Sequence, residues 1–176
     1  KEIGGWGKEN SWFLPMKGLT EPGTERTKKY LDFINERLDS KDDIPDNIEA
    51  ISYIPEVFFL HHRNELGWKW MKHIIDNLKQ GHTTEGLTGR NGDYPEVSYV
   101  LIRNVIKDLL GVVPNAEQNF VTTLSHLPTE IEDLKANNIP IGRSWISVGH
   151  VGEHTSELRH DLGKQTMKWK ASFIGN

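Results

Sequence analysis

The sequence predicts an α+β protein, with two α-helical hairpins over residues 1–114 and a small antiparallel β-domain over residues 115–176. Three observations lead there. Before Pro114, four helix-length segments alternate between amphipathic and apolar on every side. A short motif recurs at an offset of 40 residues. After Pro114 the hydropathy period changes from that of helices to that of strands.

Residues 1–23 are rich in glycine and aromatic residues (Gly4, Gly5, Trp6, Gly7, Trp12, Phe13, Gly18, Gly23) and read as a loop with at most one helical turn. The first helix is expected over about 24–38. Thr24 caps it, and Tyr30, Leu31, Ile34 and Leu38 form its apolar stripe. The second, about 51–62, has Val57, Phe58, Phe59 and Leu60 at its centre and is apolar all round, as a buried helix is. The third, about 65–79, is amphipathic, with Trp70, Met71, Ile74, Ile75 and Leu78 inward and Gly81 as its stop. The fourth, about 95–110, is again apolar and ends at Gly111 and Pro114. Outer amphipathic and inner apolar helices are the order expected of hairpins in two concentric layers, not of a plain four-helix bundle. The repeat agrees. Pro55-Glu56-Val57 with Arg63-Asn64 matches Pro95-Glu96-Val97 with Arg103-Asn104.

In the remaining third, Phe120–Leu124 and Trp145–Val148 read as strands. Met167, Trp169, Ala171 and Phe173 alternate with polar residues as a strand with one face on a core does. Thr129–Lys135 reads as a short helix or turn, and Asp161–Lys164 as the turn feeding the last strand.

Composition excludes several functions. A net charge of −4 and a pI near 6.1 lack the basic face of a general nucleic-acid binder. No apolar run approaches a membrane span. The absence of cysteine removes disulfides, thiol nucleophiles and cysteine-based zinc sites. His61-His62 and His82-x-x-Glu85 fall short of a full ligand set, so no metal and no cofactor is expected.

Three stretches carry a family resemblance: Tyr53-Ile54-Pro55-Glu56-Val57-Phe58-Phe59, Trp68-Lys69-Trp70-Met71-Lys72-His73-Ile74, and Gly92-Asp93-Tyr94-Pro95-Glu96-Val97-Ser98-Tyr99. Together they resemble the end of the catalytic domain of six-hairpin glycosidases, the bacterial rhamnosidase-like group. Leu124-Ser125-His126-Leu127-Pro128 and Asn138-Ile139-Pro140-Ile141-Gly142 resemble the β-region that follows it. The resemblance implies that the two hairpins are part of an (α/α)6 toroid. It also implies a carbohydrate substrate hydrolysed at the mouth of the barrel. Such a barrel has twelve helices against the four read here. The chain is therefore expected to be the C-terminal portion of a longer hydrolase, inactive by itself, with the rest of the parent chain as its partner. Uncovered apolar faces near Phe58, Phe59 and Val100 would then favour self-association. The other reading is a non-catalytic carbohydrate-binding or interaction module.

Glycoside hydrolysis commonly needs two carboxyl groups. Glu96 and Glu56 occupy equivalent places at the starts of presumed inner helices, and Glu96 has Asp93 and Tyr94 beside it. The competing reading is helix capping, since Asp93-x-x-Glu96 is like a capping box and an acid in the first turn suits the helix dipole. Glu85, with His82, is a further carboxylate candidate in the glycine-rich loop 81–93. Trp6, Glu9, Asn10 and Trp12 could line a sugar subsite, or the aromatic residues could dock their loop on the helices.

Overall fold

The computed structural model describes residues 6–8, 10–82 and 88–174. The chain is of the α+β class and divides into two compact units, Lys1–Leu101 and Ile102–Asn176.

The first unit is built from α1 (Phe13–Met16), α2 (Glu25–Leu38), α3 (Ile48–Ser52), α4 (Ile54–Phe59), α5 (Asn64–Asn77) and most of α6 (Pro95–Arg103). Thr24 is extended, and its Oγ1 accepts from the Thr27 N–H, so α2 starts where its cap predicts. Leu31, Ile34 and Leu38 are buried along its inner face.

The expected second helix is two. Pro55 has no N–H to donate to the Ile51 carbonyl, and its ring crowds that turn, so α3 ends at Ser52 and α4 restarts around Pro55. α3 also begins earlier than expected, on an Asn47 cap that accepts from the Glu49 N–H at 2.7 Å. At the other end of α4, His62 adopts φ 56°. The His62 N–H reaches the Phe59 carbonyl and the Arg63 N–H reaches that of Phe58. This is the paired closure of a left-handed helix cap.

Phe58 and Phe59 are 0% and 1% exposed, so the apolar face expected to lie open there is covered. They pack with α5, whose Gly67 lies against the Phe59 ring, an approach that leaves no room for a Cβ. Gly81 does not stop α5. Its partner is Arg90, in an isolated antiparallel bridge.

The repeat survives in part. Pro55 and Pro95 both sit in a first helical turn, and Val57 and Val97 are both fully buried. The fourth helix differs from expectation. α6 ends at Arg103, and a π-helical segment, Asn104–Leu109, follows. Within α6 only Val97 is buried, while Tyr99 is 72% and Ile102 63% exposed. An apolar sequence makes burial favourable but supplies no surface to bury against.

Among its described residues the second unit contains two three-stranded sheets. One has the order β1 (Val113–Asn115), β2 (Phe120–Leu124), β6 (Lys168–Ser172). The other has the order β3 (Asp133–Ile141), β4 (Ser144–Val151), β5 (Thr155–Leu162). The second sheet is antiparallel throughout. The first corrects the expectation of a wholly antiparallel domain, because β6 runs parallel to β2, Phe120 opposite Lys168 and Leu124 opposite Ser172. Between the two strands the chain runs through the whole β3–β4–β5 sheet, a connection long enough for parallel pairing, whereas a short hairpin would give antiparallel pairing.

β3 and β5 are absent from the sequence reading. Thr129 and Glu130 do turn, but β3 begins at Asp133. β6 does not carry the one-sided buried face expected of it. Met167 reaches the core, whereas Trp169 is 37% exposed and donates its indole N–H to Thr123 Oγ1 at 2.9 Å. The unit's core joins Leu110, Val112, Val121, Ile141, Ile146 and Val148.

His150 is buried beside this core. Its Nε2 meets the Leu110 carbonyl at 3.0 Å, and its Nδ1 meets Ser156 Oγ at 2.9 Å. Burial pushes its pKa below the ordinary value, and backbone bonds to Leu110 and Thr155 oppose the shift. The unfolded chain therefore takes up the proton more readily. Stability should fall as pH drops below the unfolded value of 6.5, until the lower folded value is passed. Thermal unfolding followed from about pH 7.5 to about pH 5.5 should show a falling midpoint, with a shallower slope for His150→Gln.

Candidate functional site

The polar residues of the first unit converge where the loop 81–94 meets the start of α3. The loop is closed at its base by backbone bonds: His82 N–H to Gly89 carbonyl, Asn91 N–H to Gln80 carbonyl, and Gly92 N–H to Leu78 carbonyl, at 2.9–3.0 Å. Gly92 permits the last of these, since a Cβ there would stand 3.3 Å from the Leu78 carbonyl oxygen.

Asn91, 4% exposed, is the lock. Its Nδ2 donates to the Asn77 carbonyl at 2.8 Å, which leaves Oδ1 facing His82 Nδ1 at 3.1 Å. An amide oxygen accepts only, so Nδ1 is the donor. The His82 ring stacks on Tyr94, with centroids 3.9 Å apart and planes at 20°. Tyr94 in turn donates its hydroxyl to the Thr88 carbonyl.

His82 Nε2 is buried and lies 3.3 Å from Glu49 Oε1, without the alignment of a hydrogen bond. The Glu49 side chain is 27% exposed. The Glu49 carboxylate, in the first turn of α3, accepts from Asn47 Nδ2 at 3.4 Å and is still reachable from solvent.

The sequence candidates fall in several places. Tyr94 and His82 belong to this cluster. Asp93 is exposed, and its Oδ2 accepts from the Arg90 N–H at 2.9 Å, so its capping is directed back into the loop rather than onto α6. Glu96 is exposed in the first turn of α6, while Glu56 is 8% exposed in the first turn of α4. The repeat thus puts the two glutamates at equivalent helix positions but in opposite environments. Trp12 is fully buried, and Trp6, half-buried, donates its indole N–H to the Asp43 carbonyl at 3.0 Å. Trp12 is therefore a core side chain rather than a sugar platform. Asn10 is exposed, with its N–H turned back to the Gly7 carbonyl. Glu9 and Glu85 lie outside the described residues.

Glu49 and Asn91 were not among the sequence candidates. The local signal at Glu49 is only that of a helix start after Asn47, and no spacing rule links it to His82.

Away from this cluster, a concavity of about 460 Å³ lies beside α2 and α5 and is lined by Asp39, Lys69, Trp70, Lys72, His73 and Asp76 among others. Lys69 already pairs with Asp39 at 2.5 Å, and Trp70 is 3% exposed, so the groove offers no aromatic platform. Among the described residues, no group of three or more His, Asp or Glu side chains converges as a metal site needs. No helix among them is long and apolar enough to cross a membrane.

No protein-family model, no curated protein and no solved structure matches this chain.

Proposed function

We propose that this chain is the C-terminal portion of a glycoside hydrolase acting on an oligo- or polysaccharide, and that it supplies one flank of the sugar cleft rather than a complete active site. The observation that carries the reading is the Glu49–His82–Tyr94 cluster. A partly exposed carboxylate at the start of α3 lies beside a partly exposed tyrosine, Tyr94, that is backed by the buried His82 ring. A carboxylate accepts from sugar hydroxyls, and the Tyr94 ring offers the one partly exposed aromatic surface of the cluster. The resemblance of Tyr53–Phe59, Trp68–Ile74 and Gly92–Tyr99 to six-hairpin glycosidases points the same way.

Glu96, two residues beyond Tyr94 and open to solvent, is the acid/base candidate on this reading, and Glu49 a substrate-holding one. The test is hydrolysis of aryl glycosides by the full-length gene product and its Glu96→Gln variant. Removing a general acid or base should lower kcat by about a hundredfold or more, with an unchanged melting temperature. Turnover near that of the parent would sink the assignment of Glu96. A full-length product that hydrolyses no glycoside would sink the hydrolase reading.

A further inference from the structure

We propose that the outward face of the β3–β4–β5 sheet binds a neutral oligosaccharide, a site that deepens the carbohydrate reading above and rests on it. The two faces of this sheet differ sharply. Leu134, Ala136, Ile139, Ile146, Val148 and Leu158 turn into the core of the second unit. On the other face stand Lys135, Trp145, Ser147, Glu157, Arg159 and Asp161.

Two backbone irregularities meet at Ser147. β3 carries a bulge between Ala136 and Ile139, with Asn138 in the left-handed region at φ 57°. β5 carries a second at Asp161, where Trp145 pairs with Leu162 but Ile146 with His160. Bulges redirect side chains and are retained where that redirection is used. Here the Asn138 N–H points to Ser147 Oγ at 3.4 Å, and Ser147 Oγ donates to Asp161 Oδ2 at 2.5 Å. Arg159 Nε donates to the other oxygen of Asp161.

Ser147 is 1% exposed, whereas the Arg159 side chain is 62% exposed. The buried hydroxyl therefore fixes the carboxylate, and the carboxylate fixes an exposed guanidinium. The Asp161 carboxyl is held below the usual range, first by Ser147 and then by Arg159, so it stays an acceptor.

One row along the sheet lies a groove of about 380 Å³ lined by Asp133, Lys135, Gly149 and Glu157 among others, with Lys135 and Glu157 paired at 2.8 Å and the Lys135 stem over Gly149. At the opposite end Trp145 is 40% exposed. From Trp145 to Gly149 is about 14 Å along the strand, the reach of a short oligosaccharide.

Charge selects the ligand class. The two central cations, Lys135 and Arg159, are each matched by a carboxylate, so an anion would have to displace one. A sugar hydroxyl both donates and accepts, and it can bridge such a couple without breaking it. The indole supplies the apolar platform for a ring face.

The test is calorimetric titration of this 176-residue chain with cellohexaose, xylohexaose and mannohexaose, and with a heparin hexasaccharide as the anionic comparison. At least one neutral hexaose should bind at millimolar concentration or below, and heparin should not. Trp145→Ala and Arg159→Gln should each weaken binding about tenfold or more, with unchanged circular dichroism. Trp169→Ala, on the other sheet, should leave it intact. Binding by no hexaose, binding of heparin instead, or equal binding by both Trp145→Ala and Arg159→Gln overturns the site. Aryl-glycoside hydrolysis by the full-length product is read separately. A chain that binds no hexaose thus defeats this site alone, and an inactive full-length product whose 176-residue portion still binds defeats only the hydrolase reading.

Discussion

Replacing Gly111 by alanine is expected to destabilise the second unit by about 3 kcal/mol or more, the sum of a left-handed backbone penalty and a steric clash. Gly111 has φ 54°. A Cβ there would fall 2.0 Å from the Leu124 carbonyl oxygen and 2.8 Å from its backbone nitrogen. The obstacle is the backbone of β2, which cannot swing aside as a side chain would. Relief requires moving the segment between Leu110 and Val112, both of which belong to the core. That movement strains the His126 N–H bond to the Leu109 carbonyl and the Val112 N–H bond to that of Ile106. Chemical denaturation should show a lower midpoint with little change of slope. An alanine variant as stable as the parent would mean that β2 and residue 111 are not in this contact.

Phe58→Ala should cost the first unit about 3–5 kcal/mol, the range for emptying a buried aromatic site. Phe58 is fully buried in the cluster that joins α2, α3, α4 and α5. Neighbours already in contact cannot all move inward, so part of the volume stays empty. Domains are stable by only about 5–15 kcal/mol, so a loss of this size removes much of the margin. Hydrogen exchange should report it as lost protection in α2 and α5. If those amides stay protected as in the parent, the ring is not part of the core. The covering of Phe58 and Phe59 also bears on association. On the first unit, solvent-exposed apolar surface is found instead at residues such as Tyr99.

What could be read from the sequence was what depends on neighbours in sequence. The Thr24 cap and the stripe Leu31–Ile34–Leu38 gave α2 nearly to the residue, and the amphipathic pattern gave α5. β2 and β4 were evident from β-branched and aromatic residues. β3 was hidden by its own irregularity. Asn137, Asn138 and Pro140 look like a turn, and the bulge shifts the alternation by which a strand is recognised. Pro140 is tolerable because β3 is an edge strand. β5 was hidden by charge, since its outward residues are ionic and its inward ones sparse. The site was less legible. Tyr94 stands out in the sequence only as a neighbour of Glu96, and His82 only as a companion of Glu85 in a glycine-rich loop. Glu49 enters only because folding brings α3 against that loop.

The parallel pairing of β2 with β6 also constrains how the second unit can be made. A strand near residue 120 waits for a partner near residue 170, and contacts of such separation form late. During synthesis β2 is exposed along one edge until residues 168–172 have been made, and an open edge is a template for other chains. Deletion of residues 165–176, which removes β6, should therefore leave a product prone to aggregate, not a slightly shorter domain.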